Sequence, residues 1–493
     1  MSQPPSPGDV SAAETSADLL VVGGDIITMD DERRIILGGA VAVSGSTIVG
    51  VGATDELRAA FPGTPEHDAS GCVVTPGFAN THQHVTGDPL ARSCQPDDLQ
   101  PGASIFEWAI PLNDAHGPED DEVAALLTYV DSLRHGVTTV IEAGTVGHLE
   151  PTARAARAAG IRAGLGVWGW DIEHGPFTAP TAETLARQAH TLDLLPPDDR
   201  VHGWVTLVGH DLASDELLGG AADLARARGA HMTMHISPTS NDAEAYLART
   251  GRRPLVHLDH LGALGPHLVL AHAVWLDDAE ADLLATTGTA VAYCPWAYLH
   301  HGQGVCSMGR HMALHQRGVP VGLGCDAPNA NDGVDILDAA RLAVGLAKDT
   351  AIDPTWASAY DGLEMATLGG ARAAGLGGRT GAIAVGHHAD LVVHDATTTH
   401  WTPRGNVVQQ LIWSAQGNTV RDVLVDGHLV VADGRCTTVD EDELRAEAAA
   451  RQASVLARAG LTVPQRWPVV DGRPGADRPP TRPAAAITYG VAT

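Results

Sequence analysis

The sequence predicts an α/β protein, a (β/α)8 barrel joined to a small composite β-sandwich that both ends of the chain build together. The chain has 493 residues, which is too long for one small core. Its middle alternates short β-rich runs with Ala- and Leu-rich helical segments eight times in about 270 residues, the order and size typical of a TIM barrel. Short β segments bounded by Gly, Asp or Pro flank that middle on both sides. A doubly wound parallel sheet is the alternative fold.

The barrel prediction depends on eight β-rich runs and on the helical segments between them. The predicted strands are Phe78–His82, Gly136–Glu142, Arg162–Trp168, Val201–Val208, His231–His235, Leu268–His272, Thr289–Cys294 and Val319–Cys325. The predicted helices include Glu119–Arg134, Pro151–Ala159, Ala182–Leu194, Ser214–Arg228, Asp278–Thr286 and Arg310–Arg317.

The same changes in pattern predict the domain boundaries. The predicted segments are a flexible N-terminal tail over 1–17, the composite β-sandwich over 18–75 and 383–436, the barrel over 76–382, and a C-terminal helix with a Pro- and Arg-rich tail over 437–493.

Composition restricts the partners. The formal net charge of −29 argues against nucleic acid and anionic membranes as partners. No apolar run reaches transmembrane length, and the N-terminus lacks the basic start of a secretory signal. The six cysteines form no CxxC pair and are typical of reduced thiols. We therefore expect a cytoplasmic protein with a small-molecule substrate, and a homo-oligomer.

Candidate metal ligands follow several predicted strands. In TPGFANTHQHV (75–85), His82 and His84 stand one residue apart, so a strand would present both imidazoles on one face. His235, His272 and Asp326 end the predicted strands five, six and eight. Each alone is ordinary as a hydrogen-bonded core or turn residue. Together they fall at the carboxyl end of the barrel, where such enzymes place their chemistry, and they form a ligand set for Zn²⁺ or a similar ion.

Other histidines are predicted to be solvated surface residues, away from the mouth of the barrel. They are His300, His301, His311, His315, His387 and His388.

The motifs TPGFANTHQH, HIS, LAHAVWLDDAEADLLATTGTAVAYCP and VGLGCDAPNAND together resemble the amidohydrolase superfamily, in its cytosine deaminase and triazine chlorohydrolase branch. Near the C-terminus, GAIAVGHHADLVV is similar to the strand by which this family returns to its composite sandwich. Phenylurea and thiocarbamate hydrolases of the superfamily are a further point of comparison. The resemblance covers residues 18–435.

The resemblance implies a metal site and its roles. The ligands would be His82, His84, His235 and Asp326, with His272 beside the substrate. Many relatives hold two metals bridged by a carboxylated lysine from strand four. Here the only lysine, Lys348, lies far downstream, so we expect one divalent ion, most simply Zn²⁺, with Fe, Mn or Co as alternatives.

One position departs from the family pattern. Deaminases of this branch usually carry a proton-shuttling glutamate three residues after the strand-five histidine, and here that residue is Pro238. Either another carboxyl replaces it, with Glu142 at the end of strand two the nearest candidate, or the substrate needs no ring protonation.

The expected reaction is hydrolysis by a metal-activated water. Asp326 would accept the water's proton and deliver it to the leaving nitrogen, and His272 would stabilise the developing charge. An amide, urea or carbamate needs one such shuttle, so Pro238 favours hydrolysis of an open-chain, non-peptide C–N bond. The alternatives are a heterocycle deaminase or dechlorinase that uses Glu142 or His210, and a metal-free scaffold protein on the same fold.

Several residues just past the strand ends are candidate substrate contacts. They are Trp108, Glu142, Trp168, Trp170, His210, Trp296 and Asn329.

Overall fold

The computed structural model describes residues 9–10, 16–172, 175–197, 200–209, 211–415 and 417–470. Eight parallel strands form the barrel and are numbered here as barrel strands one to eight. Their bounds are Phe78–Gln83, Val137–Glu142, Arg162–Leu165, Val201–Gly203 with Val205–Gly209, Met232–Ile236, Leu268–His272, Ala290–Tyr293 and Val321–Leu323. All eight predicted strands are present, and the predicted fold class is confirmed.

Barrel strand four connects the two halves of the barrel. Its first part pairs with strand three, Val201 opposite Ala163, and its second part pairs with strand five, Val205 opposite Met232. Buried branched and small side chains fill these strands, as expected where helices cover a parallel sheet.

The barrel closes between strands one and eight through contacts that lie next to the predicted metal ligands. The backbone N–H groups of Cys325 and Asp326 both donate to the carbonyl oxygen of His82, at 3.2 and 2.9 Å. The buried side chain of Gln83 donates to the carbonyl oxygen of Asp326 at 2.7 Å and accepts from Asn80 Nδ2 at 2.8 Å. Polar rather than apolar side chains occupy this contact, and their hydrogen bonds fix the register of strands one and eight.

The outer helices follow the strands in the predicted order. Those that follow strands one to eight include Pro118–Arg134, Leu149–Ala159, Thr181–Leu194, Asp215–Arg228, Ser240–Thr250 with Pro254–His260, Asp278–Thr287, His311–Gln316 and Ile336–Ala351. Further helices are Ala359–Glu364, Val407–Trp413 and Glu441–Arg458. Among the described residues no helix is both long and apolar enough to cross a membrane.

Local signals set the helix ends. Asp277 and Glu280 form a capping box, in which each side chain accepts from the other's backbone N–H, at 2.9 and 3.1 Å. The same helix stops at Gly288, whose φ of 73° only glycine adopts without strain.

Both ends of the chain share one sheet outside the barrel. Within the described residues it contains ten strands: Asp9–Val10, Leu19–Ile27, Ile35–Ser44, Thr47–Ala53, Glu66–Asp68, Cys72–Pro76, Leu391–Asp395, Val420–Val425, His428–Ala432 and Arg435–Cys436. The N-terminal strand Cys72–Pro76 pairs antiparallel with the C-terminal strand Leu391–Asp395. An isolated β-bridge also joins Thr47 to His388. Buried apolar residues of this sheet form a cluster of their own.

The predicted N-terminal tail includes one short strand. Asp9 and Val10 pair with Val51 and Gly50, whereas the other residues before 16 lie outside the described part of the chain. The predicted C-terminal helix is Glu441–Arg458, and the tail beyond residue 470 also lies outside the described residues.

The C-terminal helix packs against the segment that follows barrel strand one. Arg451 and Arg458 both donate to the carboxylate of Asp120, at 2.9 and 2.5 Å. On the apolar side, the buried Val455 belongs to a cluster that includes Leu90 and Trp108. This helix therefore supports one rim of the barrel mouth from outside.

We expect Gln83→Ala to lower the stability of the fold. The change leaves the buried amide of Asn80 without its acceptor, at a cost of roughly 1–3 kcal/mol for the unsatisfied group. It also removes one of the two donors to the carbonyl oxygen of Asp326, which keeps the backbone N–H of His84 at 3.3 Å. Calorimetry of the metal-free protein should show a lower unfolding temperature. Gln409→Ala, on an exposed helix face, is the matched control and should leave that temperature unchanged. Equal behaviour of the two variants would contradict the role given to Gln83.

Candidate metal centre and active site

The strand ends bring four imidazoles and one carboxylate together at the mouth of the barrel. Asp326 Oδ1 lies 3.3 Å from His84 Nε2 and 3.6 Å from His82 Nε2. His235 Nε2 lies 3.4 Å from His84 Nε2. Asp326 Oδ2 lies 3.9 Å from His272 Nδ1. Ligand atoms of His82, His235 and His272, and of His82, His84 and Asp326, fall within 4.8 Å of one another.

This donor set fits one divalent cation. His235 Nδ1 lies 2.7 Å from the carbonyl oxygen of Val208, so it carries the proton and leaves Nε2 for a metal. His84 Nδ1 lies 3.1 Å from Thr145 Oγ1, which donates at 2.8 Å to Glu142 Oε1. Such outer hydrogen bonds fix the tautomer and orientation of metal-binding histidines. The Nε2 atoms of His84 and His235 therefore face each other, and that of His84 also faces Asp326.

The pKa shifts of Asp326 and His84 are consistent with a cation site at this position. Burial raises the pKa of Asp326, but its contacts with His82 and His84 outweigh burial and hold the pKa well below its usual range. Burial lowers the pKa of His84, but its contact with Asp326 reverses the sign and raises it. The carboxylate is therefore anionic where a cation would bind.

The backbone is strained at two of these positions. His272 and Asp326 have φ values of 77° and 66°, a region that favours glycine. Non-glycine residues held in this conformation cluster at functional sites. The carbonyl oxygen of His272 is held by His311, whose Nε2 donates to it at 2.6 Å.

Two histidines differ from their prediction. His311 is buried rather than solvated, because its imidazole donates to the carbonyl oxygen of His272, which also accepts from the hydroxyl of Tyr298 at 3.4 Å. Burial lowers the pKa of His311 to about 4, so the ring stays neutral. His301 lines the cavity described below. The prediction that these two residues lie at the surface, away from the mouth, is wrong.

A cavity of about 280 Å³ lies over the cluster of ligands. His84, His235, His272 and Asp326 form its floor. The wall is largely apolar and aromatic, and includes Phe106, Ile110, Trp168, Trp170, Val208 and Leu212. The ring of Trp168 is held by parallel stacking on Phe177, with ring centroids 4.3 Å apart.

The cavity includes some of the predicted substrate contacts. Trp168, Trp170 and Asn329 line it, and Asn329 Nδ2 donates to Gln95 Oε1 at 3.2 Å. Pro238 lines it as well. His210 lies outside the described residues.

Trp108, Trp296 and Glu142 do not line the cavity, which corrects the prediction that they contact substrate. Trp108 packs into the cluster beneath the C-terminal helix. Trp296 lies on a separate surface groove with Leu299 and His300.

Glu142 contacts the turn that follows barrel strand two, and not the cavity. Its fully buried carboxylate accepts the backbone N–H groups of Gly144 and Thr145 at 2.6 and 3.1 Å, and also the hydroxyl of Thr145. Burial raises the pKa of Glu142 to about 7, against the effect of His84 and of these donors. The residue positions the turn that orients His84.

Three other residues at this site were not predicted. Asp88 and Asp242 line the cavity, and Thr145 both lines it and contacts His84. Asp88 stands in VTGDPL, which resembles an ordinary turn. Its distance of four residues from His84 was the one available signal.

Known proteins that are similar to this chain support the interpretation of this site. A family model for the amidohydrolase family matches residues 73–430, and a model for the imidazolonepropionase-like composite domain of bacteria matches residues 39–63. A 5-methylthioadenosine/S-adenosylhomocysteine deaminase of Syntrophobacter fumaroxidans is 34% identical over 87% of this chain and 96% of its own length. A 5′-deoxyadenosine deaminase of Methanosarcina mazei is 29% identical over 90% of this chain and 99% of its own length.

Solved structures share the fold. An adenosine deaminase from Xanthomonas campestris with bound zinc superposes with a TM-score of 0.85 at 28% identity, over 90% of this chain and 99% of that one. Atrazine chlorohydrolase from Arthrobacter aurescens, complexed with zinc, has a TM-score of 0.81 at 22% identity, over 88% of this chain and 100% of that one, a likeness of fold alone. The predicted resemblance is confirmed. This chain belongs to the amidohydrolase family.

Proposed function

We propose that this protein is a mononuclear aminohydrolase that removes an amino group from an aminated nitrogen heterocycle and releases ammonia. As an amidohydrolase, the chain is a metal-dependent hydrolase of C–N bonds, other than peptide bonds, in small molecules. The observation that carries the finer proposal is the cavity itself. Trp168 and Phe106 line the same cavity as His84, His235, His272 and Asp326, and such flat apolar side chains suit a planar ring. The deaminase activities of the relatives at 28–34% identity support it.

The metal would be held by His82, His84, His235 and Asp326, with His272 facing the substrate. Zinc is the proposed ion, because three imidazoles and one carboxylate suit it and because the Xanthomonas relative binds zinc. When bound, it lowers the pKa of a water molecule toward neutrality. Lys348 donates to the carbonyl oxygen of Pro354 at 2.9 Å and does not line the cavity, which supports a single metal.

The residues of the chain supply the proton transfers and the orientation. Asp326 is anionic and accepts a proton from the attacking water, then delivers it to the leaving amino group. His272 is placed at the floor by its strained backbone and by His311, and stabilises negative charge on the reacting centre. The aromatic wall excludes bulk water, which strengthens these interactions.

Hydrolysis of an open-chain amide, urea or carbamate is the second candidate function. Pro238 favours it, because this residue lines the cavity where deaminases of the branch usually place a proton-shuttling glutamate. An open-chain substrate needs only the shuttle that Asp326 provides.

We also propose that the protein is a cytoplasmic homo-oligomer. The six cysteines are unpaired, as expected in a reducing compartment. Large apolar side chains are exposed at Ile352 and Trp356 in the loop before Ala359–Glu364, at Tyr360 on that helix and at Trp413, and a second copy of the chain would cover them.

A substrate panel tests the proposed function. We expect zinc-loaded protein to release ammonia from at least one of adenosine, 5′-methylthioadenosine, S-adenosylhomocysteine, guanine, cytosine and an aminotriazine. Asp326→Asn should abolish that release, since an amide cannot accept the water's proton. Cleavage of phenylureas, carbamates or amides, with no ammonia from any ring, would select the second candidate.

Metal content provides a separate prediction. We expect elemental analysis to find one tightly bound divalent metal per chain, most simply zinc, because the possible ligand atoms form overlapping groups that share His82. Two metals per active chain would require a bridging ligand that no lysine of this sequence supplies. Activity without any metal would contradict the assignment of all four ligands.

Thr145→Val tests the outer hydrogen bonds. Valine keeps the shape of threonine but breaks the link between His84 and Glu142, and we expect metal affinity to fall roughly 10–100-fold. Competition with a chelator measures this. Thr286→Val, on an exposed helix face, should leave affinity unchanged. Unchanged affinity in both variants would show that Thr145 does not orient the ligand.

A further inference from the structure

Asp88 lies in a rigid turn that leaves barrel strand one and lines the cavity. Its backbone N–H donates to the carbonyl oxygen of Thr86 at 3.0 Å, and the hydroxyl of Thr86 donates to the carbonyl oxygen of Thr145 at 3.1 Å. Gly87 adopts a φ of 71°, and a Cβ atom there would lie 2.4 Å from the side chain of Asn113. The turn therefore holds the carboxyl of Asp88 in one place.

One oxygen of the Asp88 carboxyl is buried without a hydrogen-bond partner among the described residues. The residue is 3% exposed, and its Oδ1 contacts no donor. By contrast, Glu142 accepts from Gly144 and Thr145, and Asp242 accepts from the N–H of Ser237 at 2.8 Å. An unpaired buried carboxyl costs free energy, so a protein that keeps one in its active site gains something else from it.

The surroundings of Asp88 suit proton transfer near neutral pH. Burial raises its pKa to about 6, and the charge of Asp326 adds to this, while His84 and His116 oppose it. A carboxyl of this kind can both give and accept a proton under ordinary conditions.

We propose that Asp88 is a second proton-transfer residue of this active site, taking the part that Pro238 cannot play. The inference rests on the proposed function, because only an aminated ring requires a second proton. It gives the proposed deamination the donor that neither Pro238 nor Glu142 provides.

The proton transfers balance in two stages. As water adds to the ring carbon that bears the amino group, Asp326 takes one proton from the water and protonated Asp88 gives its proton to the adjacent ring nitrogen. As the tetrahedral centre collapses, Asp326 gives its proton to the amino group, which leaves as ammonia with the C–N electron pair. The new hydroxyl forms a carbonyl and returns its proton to Asp88, so both residues end as they began.

The test is Asp88→Asn in the zinc-loaded full chain, with the panel aminoheterocycle that wild type turns over fastest. We expect kcat to fall about 10²–10⁴-fold, the usual range for lost acid–base catalysis. Metal content and unfolding temperature should match wild type. Asp88→Glu, which restores a carboxyl, should recover at least tenfold of the loss. Asp97→Asn, an exposed carboxyl on the same segment, is the matched control and should stay within twofold.

The other outcomes separate the two proposals. If wild type deaminates the ring and Asp88→Asn stays within threefold, the role of Asp88 is overturned and the proposed function stands. A large loss in Asp242→Asn with none in Asp88→Asn would assign the proton to Asp242 and also overturn it. If wild type releases ammonia from no ring at all, both proposals fall.

Discussion

The buried carboxylate of Asp326 is the charge on which the mouth of the barrel depends. It contacts His82 and His84, lies 3.9 Å from His272, and these imidazoles keep it ionised despite burial. An anion at this depth is costly unless compensated, so the surrounding polar groups are arranged to hold it and its partners still. Gln83 fixes the backbone of Asp326, and Asn80 in turn fixes Gln83. The strands carrying the ligands are thus tied together by the groups that surround the charge.

Much of this arrangement could be predicted from the sequence. Parallel barrel strands are buried on both faces, so their apolar runs stand out, and the residues just after them meet at one end of the barrel. The strands, and the meeting of His82, His84, His235, His272 and Asp326 at that end, could therefore be predicted. The spacing of apolar residues and the order of the strands along the chain can both be recognised in a single sequence.

The rest depends on contacts between residues far apart in the chain. Trp108 follows strand one as a lid residue would, but a helix more than 300 residues later supplies the apolar surface that it packs against. His311 lies on a helix whose sequence pattern is typical of the surface, yet its imidazole donates to the carbonyl oxygen of His272, 39 residues earlier in the chain. Glu142 and Asp88 are both acids near the metal ligands, and only the count of donors around each carboxylate separates a positioning role from a chemical one. The hydrogen-bond donors around a buried carboxylate cannot be predicted from the spacing of residues in the sequence.

The shared sheet has a consequence for synthesis on the ribosome. Cys72–Pro76 leads directly into barrel strand one, but its antiparallel partner Leu391–Asp395 emerges roughly 300 residues later. At the usual elongation rate of about 5–20 residues per second, this edge waits on the order of 15–60 s for its partner. Its backbone groups are unpaired on that side throughout, next to the strand that will carry two metal ligands. The nascent chain therefore exposes an unpaired strand edge, of the kind that can pair with other chains, for most of its translation.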